Sequence, residues 1–238
     1  KYGMYFGEYY IILQTSVLGM MLMAGAKDLF VIFLGLEIMS VSFYILAGMN
    51  RKKAGANEAS LKYFLLGAFA TGFIVYGIAL IYGSAHTTSI DFITSNFAEL
   101  TKNLIFISGV LLFLIGFSFK IAAFPFHMWV PDVYEGSPTT VAALFSTGGK
   151  AAAFSAILAT LFALFNGPNG NLFAPYLAVI SVLSMFYGSI VAIAQTNIKR
   201  MLAYSSISHA GYLAIGLAAG NHDAVAGVVF YLAAYTFM

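Results

Sequence analysis

Long uncharged apolar runs alternate with short polar stretches along the whole chain. Eight runs stand out, at residues 9–26, 29–49, 63–85, 104–124, 141–165, 176–194, 201–219 and 224–238. Most approach or exceed the roughly 20 residues that an α-helix needs to cross the hydrocarbon core of a bilayer. Inside lipid only a helix satisfies the backbone of so long a segment, so each run predicts a transmembrane helix. Turn formers and charges collect between the runs, at 50–60, 84–102, 129–140 and 166–175. The second of these stretches has room for a short surface helix around 91–100.

Composition identifies the solvent. Of 238 residues 61% are hydrophobic and only 8% charged, and the mean hydropathy is +0.90. A water-soluble domain carries about a quarter of its residues charged, so the expected fold is an all-α polytopic bundle with lipid as its main solvent. A net charge of +2 with no basic, aromatic-rich tract argues against a nucleic-acid partner. There is no cysteine, which removes disulfides, thiolate metal sites and iron–sulfur ligation. The four histidines, His86, His127, His209 and His222, show no metal-ligand spacing. Gly148, Gly149 and Lys150 lack the flanking residues of a phosphate loop, so neither cofactor nor metal is expected in this chain. Lys1 leads straight into full-length spans, without the short apolar region of a signal peptide. The absence of an initial methionine and the shortness of run 224–238 suggest a piece of a longer protein.

Positive charge is unevenly distributed. Counting loops alternately, Lys1, Arg51, Lys52, Lys53, Lys62, Lys199 and Arg200 fall on one side, and Lys27 and Lys102 on the other. The first side is therefore expected to be cytoplasmic.

Of the 20 formal charges only Glu37, Lys120 and Lys150 fall inside the runs. Each costs at least a few kcal/mol, ~2.5 or more, at mid-bilayer, which makes an ionisable residue there a functional candidate. Glu37 lies roughly 12 Å past the start of its run and 18 Å before the end, and Lys150 is about as central. A buried ion pair locking helices together is one explanation. Two lysines and one glutamate do not balance, however, so at least one lysine is neutral or has a partner that comes and goes. Burial favours release of a lysine's proton, and a glutamate about 4 Å away, worth roughly 4 kcal/mol at an effective dielectric near 20, restores the hold. Moving that glutamate would load or release a proton.

Pro125 follows Lys120 by five residues and frees the carbonyl of Ile121 from helical bonding. This marks either a break at membrane depth, where ion sites are commonly built, or a plain helix end. His127, two helical turns beyond Lys120, is either an extension of a proton path toward the cytoplasmic loop or an interfacial histidine beside Trp129. Tyr204, Ser205, Ser208, His209 and Tyr212 form a polar stripe at helical spacing, read either as a proton wire or as interhelical hydrogen bonding, with His209 the member to test. Gly148, Gly149, Gly216 and Gly220 are read as sites of close helix packing.

The stretch FKIAAFPFHMWVPDVYEGSPTT (119–140), with GLEIMS (35–40), GGKAAAF (148–154) and KRMLAYSSISHAGY (199–212), resembles the antiporter-like membrane subunits of proton-pumping NADH:quinone oxidoreductase, complex I. The DVYEGSPT wording is similar to the subunit N branch, called subunit 2 in organelles. Subunits M and L and the multisubunit sodium/proton antiporters more often read PDAxxGPTPVSA there. The resemblance implies a fold of fourteen helices with two inverted five-helix repeats, here 9–165 and part of a second at 176–238. It implies that Glu37, Lys120 and Lys150 match the family's key charges, and that Lys62, His127 and Tyr204 match further positions on the proton route. It also implies that NADH, FMN, iron–sulfur clusters and quinone bind in other subunits. The partners would be the other complex I membrane subunits, especially the adjacent antiporter-like one, in a bacterial inner membrane or an organellar one. A cation/proton antiporter subunit is the second possibility, and a purely structural membrane-arm subunit the third.

Overall fold

The computed structural model describes residues 6–165 and 172–237, with the side chains of 161–165 left aside. The runs appear as α1 (Gly7–Gly25), α2 (Leu29–Ala47), α3 (Ala54–Ala85), α6 (Leu104–Lys120), α8 (Thr139–Leu144) continuing through a π-helical turn (Phe145–Gly149) into α9 (Lys150–Phe165), α10 (Ala174–Ile193), α11 (Ile198–Ala219) and α12 (His222–Phe237). Between them lie the short helices α4 (Ile90–Ser95), α5 (Phe97–Leu100) and α7 (Val130–Gly136). The surface helix expected at 91–100 is thus two short helices. Of the stretch at 166–175, residues 166–171 lie outside the described residues, as do Lys1 and Met238.

Two boundaries differ from expectation. Helix α3 begins at Ala54, nine residues before the apolar run, so most of 50–60 is helical rather than loop. Its first turns are amphipathic: Ala56, Ala59 and Tyr63 are buried while Glu58 and Leu61 are exposed, so a search for uncharged stretches overlooks them. Likewise 129–140 holds α7, which Pro131 in its first turn favours. Side-chain caps fix other starts. Asp28 accepts from Phe30 N, Asn103 from Ile105 N and Asn197 from Lys199 N, at 2.8, 2.9 and 2.9 Å. Gly220, at φ 63°, ends α11 in the left-handed conformation, so its role is a cap rather than helix packing.

Among the described residues two helix pairs are stitched by facing glycines, and a third by glycines set against the neighbouring backbone. A Cβ on Gly19 of α1 would stand 2.6 Å from Gly35 O of α2, and one on Gly35 would stand 2.8 Å from Gly19 O. Gly77 of α3 and Gly109 of α6 oppose each other in the same way, and on α10 and α11 Gly188 meets Tyr204 O while Gly211 meets Ser181 O. In lipid, where apolar burial does not drive helices together, such backbone approach supplies the dispersion contacts that do. Gly149 packs under the Phe43 ring and Gly148 under the Met20 sulfur, and Gly216 abuts Val228, as the packing expectation requires.

Outward faces are apolar. Leu65, Phe69 and Tyr76 of α3 and Val179, Phe186 and Ile190 of α10 are exposed. Among the described residues four helical stretches are long and apolar enough to cross a membrane: Leu29–Ala47, Ala54–Ala85, Thr139–Thr160 and Ala174–Ile193. One end of the bundle ties Asp28 to Thr88 (2.6 Å), and the other gathers Lys62, Lys199 and Arg200 around α7.

Candidate functional site

Lys120 is the last residue of α6, and a turn stops the helix there. Ala122 N donates to Phe119 O (3.0 Å) and Ala123 N to Ser118 O (2.9 Å), with Ala122 at φ 63°. This is a Schellman-type ending with alanine where glycine is usual. The helix therefore ends five residues before Pro125, which lies inside a non-helical stretch at 121–129 that contains a cis Phe124–Pro125 bond. The helix ends four residues before its apolar run does, and the left-handed turn ends it rather than the proline's missing donor. Phe124 N donates to Ser184 Oγ of α10 at 2.9 Å, and Trp129 Nε1 to Phe119 O at 3.1 Å, which pins the stretch before α7 resumes.

The Lys120 side chain is 6% exposed. Its Nζ donates to Ser40 Oγ at 2.8 Å and to Tyr44 OH at 3.3 Å, and it lies 5.7 and 5.8 Å from the Tyr44 and Phe119 ring centres. Ser40 and Tyr44 follow Glu37 by one and two turns on α2. Glu37 itself is half-buried, and its Oε1 accepts from Thr71 Oγ1 of α3 at 2.8 Å. Among the described residues no carboxylate forms an ion pair with Lys120. Lys62 does not bridge the two, because it pairs with Glu58 (2.6 Å) and Asp132 (2.8 Å) at the bundle's end. Arg200 joins the same cluster, at 2.7 Å from Asp132 and 2.9 Å from Glu135. Burial pushes the Asp132 carboxyl up, but hydrogen bonds from Lys62 and Arg200 outweigh it and hold the group below the usual carboxylate range.

Lys150 opens α9 directly after the π-helical turn and is 2% exposed. Its Nζ donates to both the main-chain oxygen and the Oγ of Ser206 on α11. A π turn widens the helix by one residue and recurs at functional sites. Three residues beyond Ser206, His209 Nδ1 meets Tyr231 OH of α12 at 2.6 Å, with the Tyr235 ring 4.9 Å away. The α11 residue that meets Lys150 is thus Ser206, which the predicted polar stripe omits. Ser208 pairs instead with Ser189 of α10 at 3.0 Å.

His127 is buried between the rings of Phe124 (5.3 Å) and Tyr187 (4.5 Å), with no hydrogen bond to Nδ1. The two-turn spacing from Lys120 does not hold, because the chain between them is not helical. Tyr204 packs toward Tyr187 at 6.2 Å. A second unpartnered buried group is the Tyr134 hydroxyl on α7, a feature that costs roughly 1–3 kcal/mol when left unmade. Ser40, Tyr44, Thr71, Tyr134 and Ser206 join the site without standing out in the sequence. Ser40 had a usable signal, one turn from Glu37 on the same helix face. The others became visible only when their helices were brought together.

With this arrangement in view, the model of the transmembrane family described as NADH:quinone oxidoreductase/Mrp antiporter matches residues 26–238. The chain belongs to that family. It is 51% identical over 235 residues to NADH-quinone oxidoreductase subunit N 1 of Chloroherpeton thalassium, covering 98% of this chain and 49% of that one. It is also 51% identical to subunit N of Trichlorobacter lovleyi over 234 residues, with 98% and 48% covered. Among solved structures, a chain of respiratory complex I from Thermus thermophilus with bound aureothin superposes at TM-score 0.80 with 38% identity, over 96% of this chain and 48% of that one. The membrane-bound sulfane sulfur reductase, an archaeal respiratory complex, gives TM-score 0.89 at 29% identity, over 96% and 47%. The chain spans about half the length of these relatives. As a member of the NADH:quinone oxidoreductase/Mrp antiporter family it is an integral membrane protein with the antiporter-like fold, and its bacterial relatives are consistent with an inner membrane. Among the described residues no group of His, Asp or Glu is arranged to hold a metal ion.

Proposed function

We propose that this chain serves in subunit N of NADH:quinone oxidoreductase as proton-translocating machinery that carries out no redox chemistry itself. NADH oxidation and quinone reduction take place in other subunits, where FMN and the iron–sulfur clusters reside, and the neighbouring partner is another antiporter-like membrane subunit. One observation carries the reading: two ammonium groups, on Lys120 and Lys150, are buried on neutral hydroxyls and a carbonyl, with no carboxylate in contact among the described residues. A buried charge without an opposite charge is expensive to keep. Such a lysine is poised to lose its proton and regain it. Glu37, held by Thr71 one turn from Ser40, supplies the charge whose approach or retreat would bias Lys120. Residues 9–165 and 176–238 are read as a first repeat and part of a second, a division supported by the glycine-stitched pair that opens each, α1 with α2 and α10 with α11.

The test is NADH-driven acidification of inverted membrane vesicles carrying Lys120→Ala in the intact complex, with assembly and reduction of an artificial electron acceptor as controls. Acidification and quinone-linked turnover are expected to collapse while the controls hold. Wild-type acidification in the variant would make the buried lysine structural. Sodium-dependent transport in its place would favour a cation/proton antiporter.

A further inference from the structure

Each buried lysine has its own holders, yet no direct hydrogen bond joins the two pockets among the described residues. Three buried phenols stand between them. Tyr44 of α2 touches Lys120 through its hydroxyl (3.3 Å), and its ring meets Tyr63 of α3 edge-on at 4.9 Å. Tyr63 stacks on Trp129 at 4.4 Å, and Trp129 meets Tyr134 of α7 at 6.3 Å. Tyr63 thus touches the Tyr44 ring directly and reaches Tyr134 across Trp129. Tyr134 is 4% exposed, its hydroxyl makes no hydrogen bond among the described residues, and α7, which carries it, packs against α11, which carries Ser206. Ser206 is the residue that holds Lys150. For packing alone, phenylalanine fills the same space without stranding a hydroxyl.

We propose that Tyr134 is the relay hydroxyl that passes a proton arriving from the Lys120 pocket, by way of Tyr44 and Tyr63, through Ser206 to Lys150. The inference rests on the reading of Lys120 and Lys150 as proton carriers. In the transfer the Lys120 ammonium gives one proton to the Tyr44 oxygen as Tyr44 releases its own. Each following hydroxyl does the same, and Ser206 delivers a proton to the neutral amine of Lys150. At the end Lys120 is an amine, Lys150 an ammonium, and every hydroxyl has a proton again. Where two hydroxyls stand too far apart for a direct bond, a water molecule takes one proton and releases another. No tyrosine ionises and no electron moves.

The experiment compares Tyr134→Phe, Tyr63→Phe and Lys120→Ala in the intact complex in inverted vesicles. It measures NADH-driven acidification, reduction of an artificial acceptor, thermal stability of the assembled complex, and the solvent deuterium isotope effect on acidification. Tyr134→Phe is expected to lower acidification about tenfold or more, as loss of a positioned proton-transfer group does. Stability should be unchanged or higher, acceptor reduction unchanged, and the isotope effect on the residual rate larger. Tyr63→Phe is expected to act in the same direction. If Lys120→Ala abolishes acidification while both phenylalanine variants pump like wild type, the relay is overturned and the lysine reading stands. If Lys120→Ala itself pumps like wild type, the underlying reading fails first. Loss of assembled complex in both phenylalanine variants would give the hydroxyls a structural role and overturn the relay as well.

Discussion

The pockets of Lys120 and Lys150 solve one problem in two ways. Both hold an ammonium in the bundle interior at an irregularity in a helix, the left-handed turn after α6 in one case and the π-helical turn before α9 in the other. Lys120 is held by side chains, Ser40 and Tyr44, with Glu37 one turn further along the same helix. Lys150 is held in part by main chain, the Ser206 carbonyl, with a histidine rather than a carboxylate one turn further on. Side chains can swing away and a carbonyl of an intact helix cannot. On the proposed reading the first pocket suits switching by a neighbouring charge, and the second suits receiving a proton at a fixed place.

The largest effect should come from removing the irregularity that defines the first pocket. Ala122 is fully buried at φ 63°, a conformation that a β-branched side chain adopts only under strain. Ala122→Val adds that strain to overpacking, together about 3 kcal/mol or more. Little assembled complex should be recovered from membranes, as read by native gels and acceptor reduction. Ala122→Gly should be recovered at or above wild-type levels, since glycine is at ease in the left-handed region. Equal recovery of the valine and glycine variants would mean that the turn does not set the end of α6.

Next in size is the contrast between the holders. A hydrogen bond to a charged group contributes about 1.5–3 kcal/mol. Ser40→Ala removes one such bond from Lys120 and leaves only the longer one to Tyr44, so acidification should fall roughly tenfold or more. Ser206→Ala removes the hydroxyl that hands the proton to Lys150 but leaves the Ser206 carbonyl holding it, so acidification should fall about as far as in Tyr134→Phe while thermal stability of the complex falls less than in Ser40→Ala. Thermal stability and NADH-driven acidification of the two variants check this, and a larger stability loss in Ser206→Ala would reverse the comparison.

How much of this the sequence reveals follows from the range of each interaction. Length and polarity place the helices, because lipid imposes the same demand on every span. The three charges in the runs identify Glu37, Lys120 and Lys150 as candidates for the same reason. Helix α3 is misjudged at its start because its first turns carry Glu58 and Lys62 on an open face, where charge is no obstacle to a helix. The proline pointed to the break but not to its cause, since the left-handed conformation of an alanine leaves no trace in residue type. Helical spacing misplaces His127, because the stretch between it and Lys120 is not helical. Ser206 and Tyr134 were invisible because they meet only across α7, α9 and α11, and nothing in one segment names the segment it will face.

The smallest of these effects probes the charge that separates the two pockets. Thr71 donates to Glu37 from α3, and Glu37 is half-buried, so the bond contributes about 1 kcal/mol, roughly a fivefold effect on any step that depends on where that carboxylate points. Thr71→Val keeps the shape and removes the donor, and NADH-driven acidification is expected to change by about that factor with assembly intact. The direction is a loss, because a carboxylate freed from Thr71 strengthens the hold on the Lys120 proton and slows its release. Double-mutant cycles then locate the effect. Glu37, Ser40 and Lys120 share one network, so Thr71→Val and Ser40→Ala should fall short of multiplicative. Ser206 lies in the other pocket, so Thr71→Val and Ser206→Ala should multiply. Strong coupling between Thr71 and Ser206, with none between Thr71 and Ser40, would show that Glu37 acts on the second lysine and not the first.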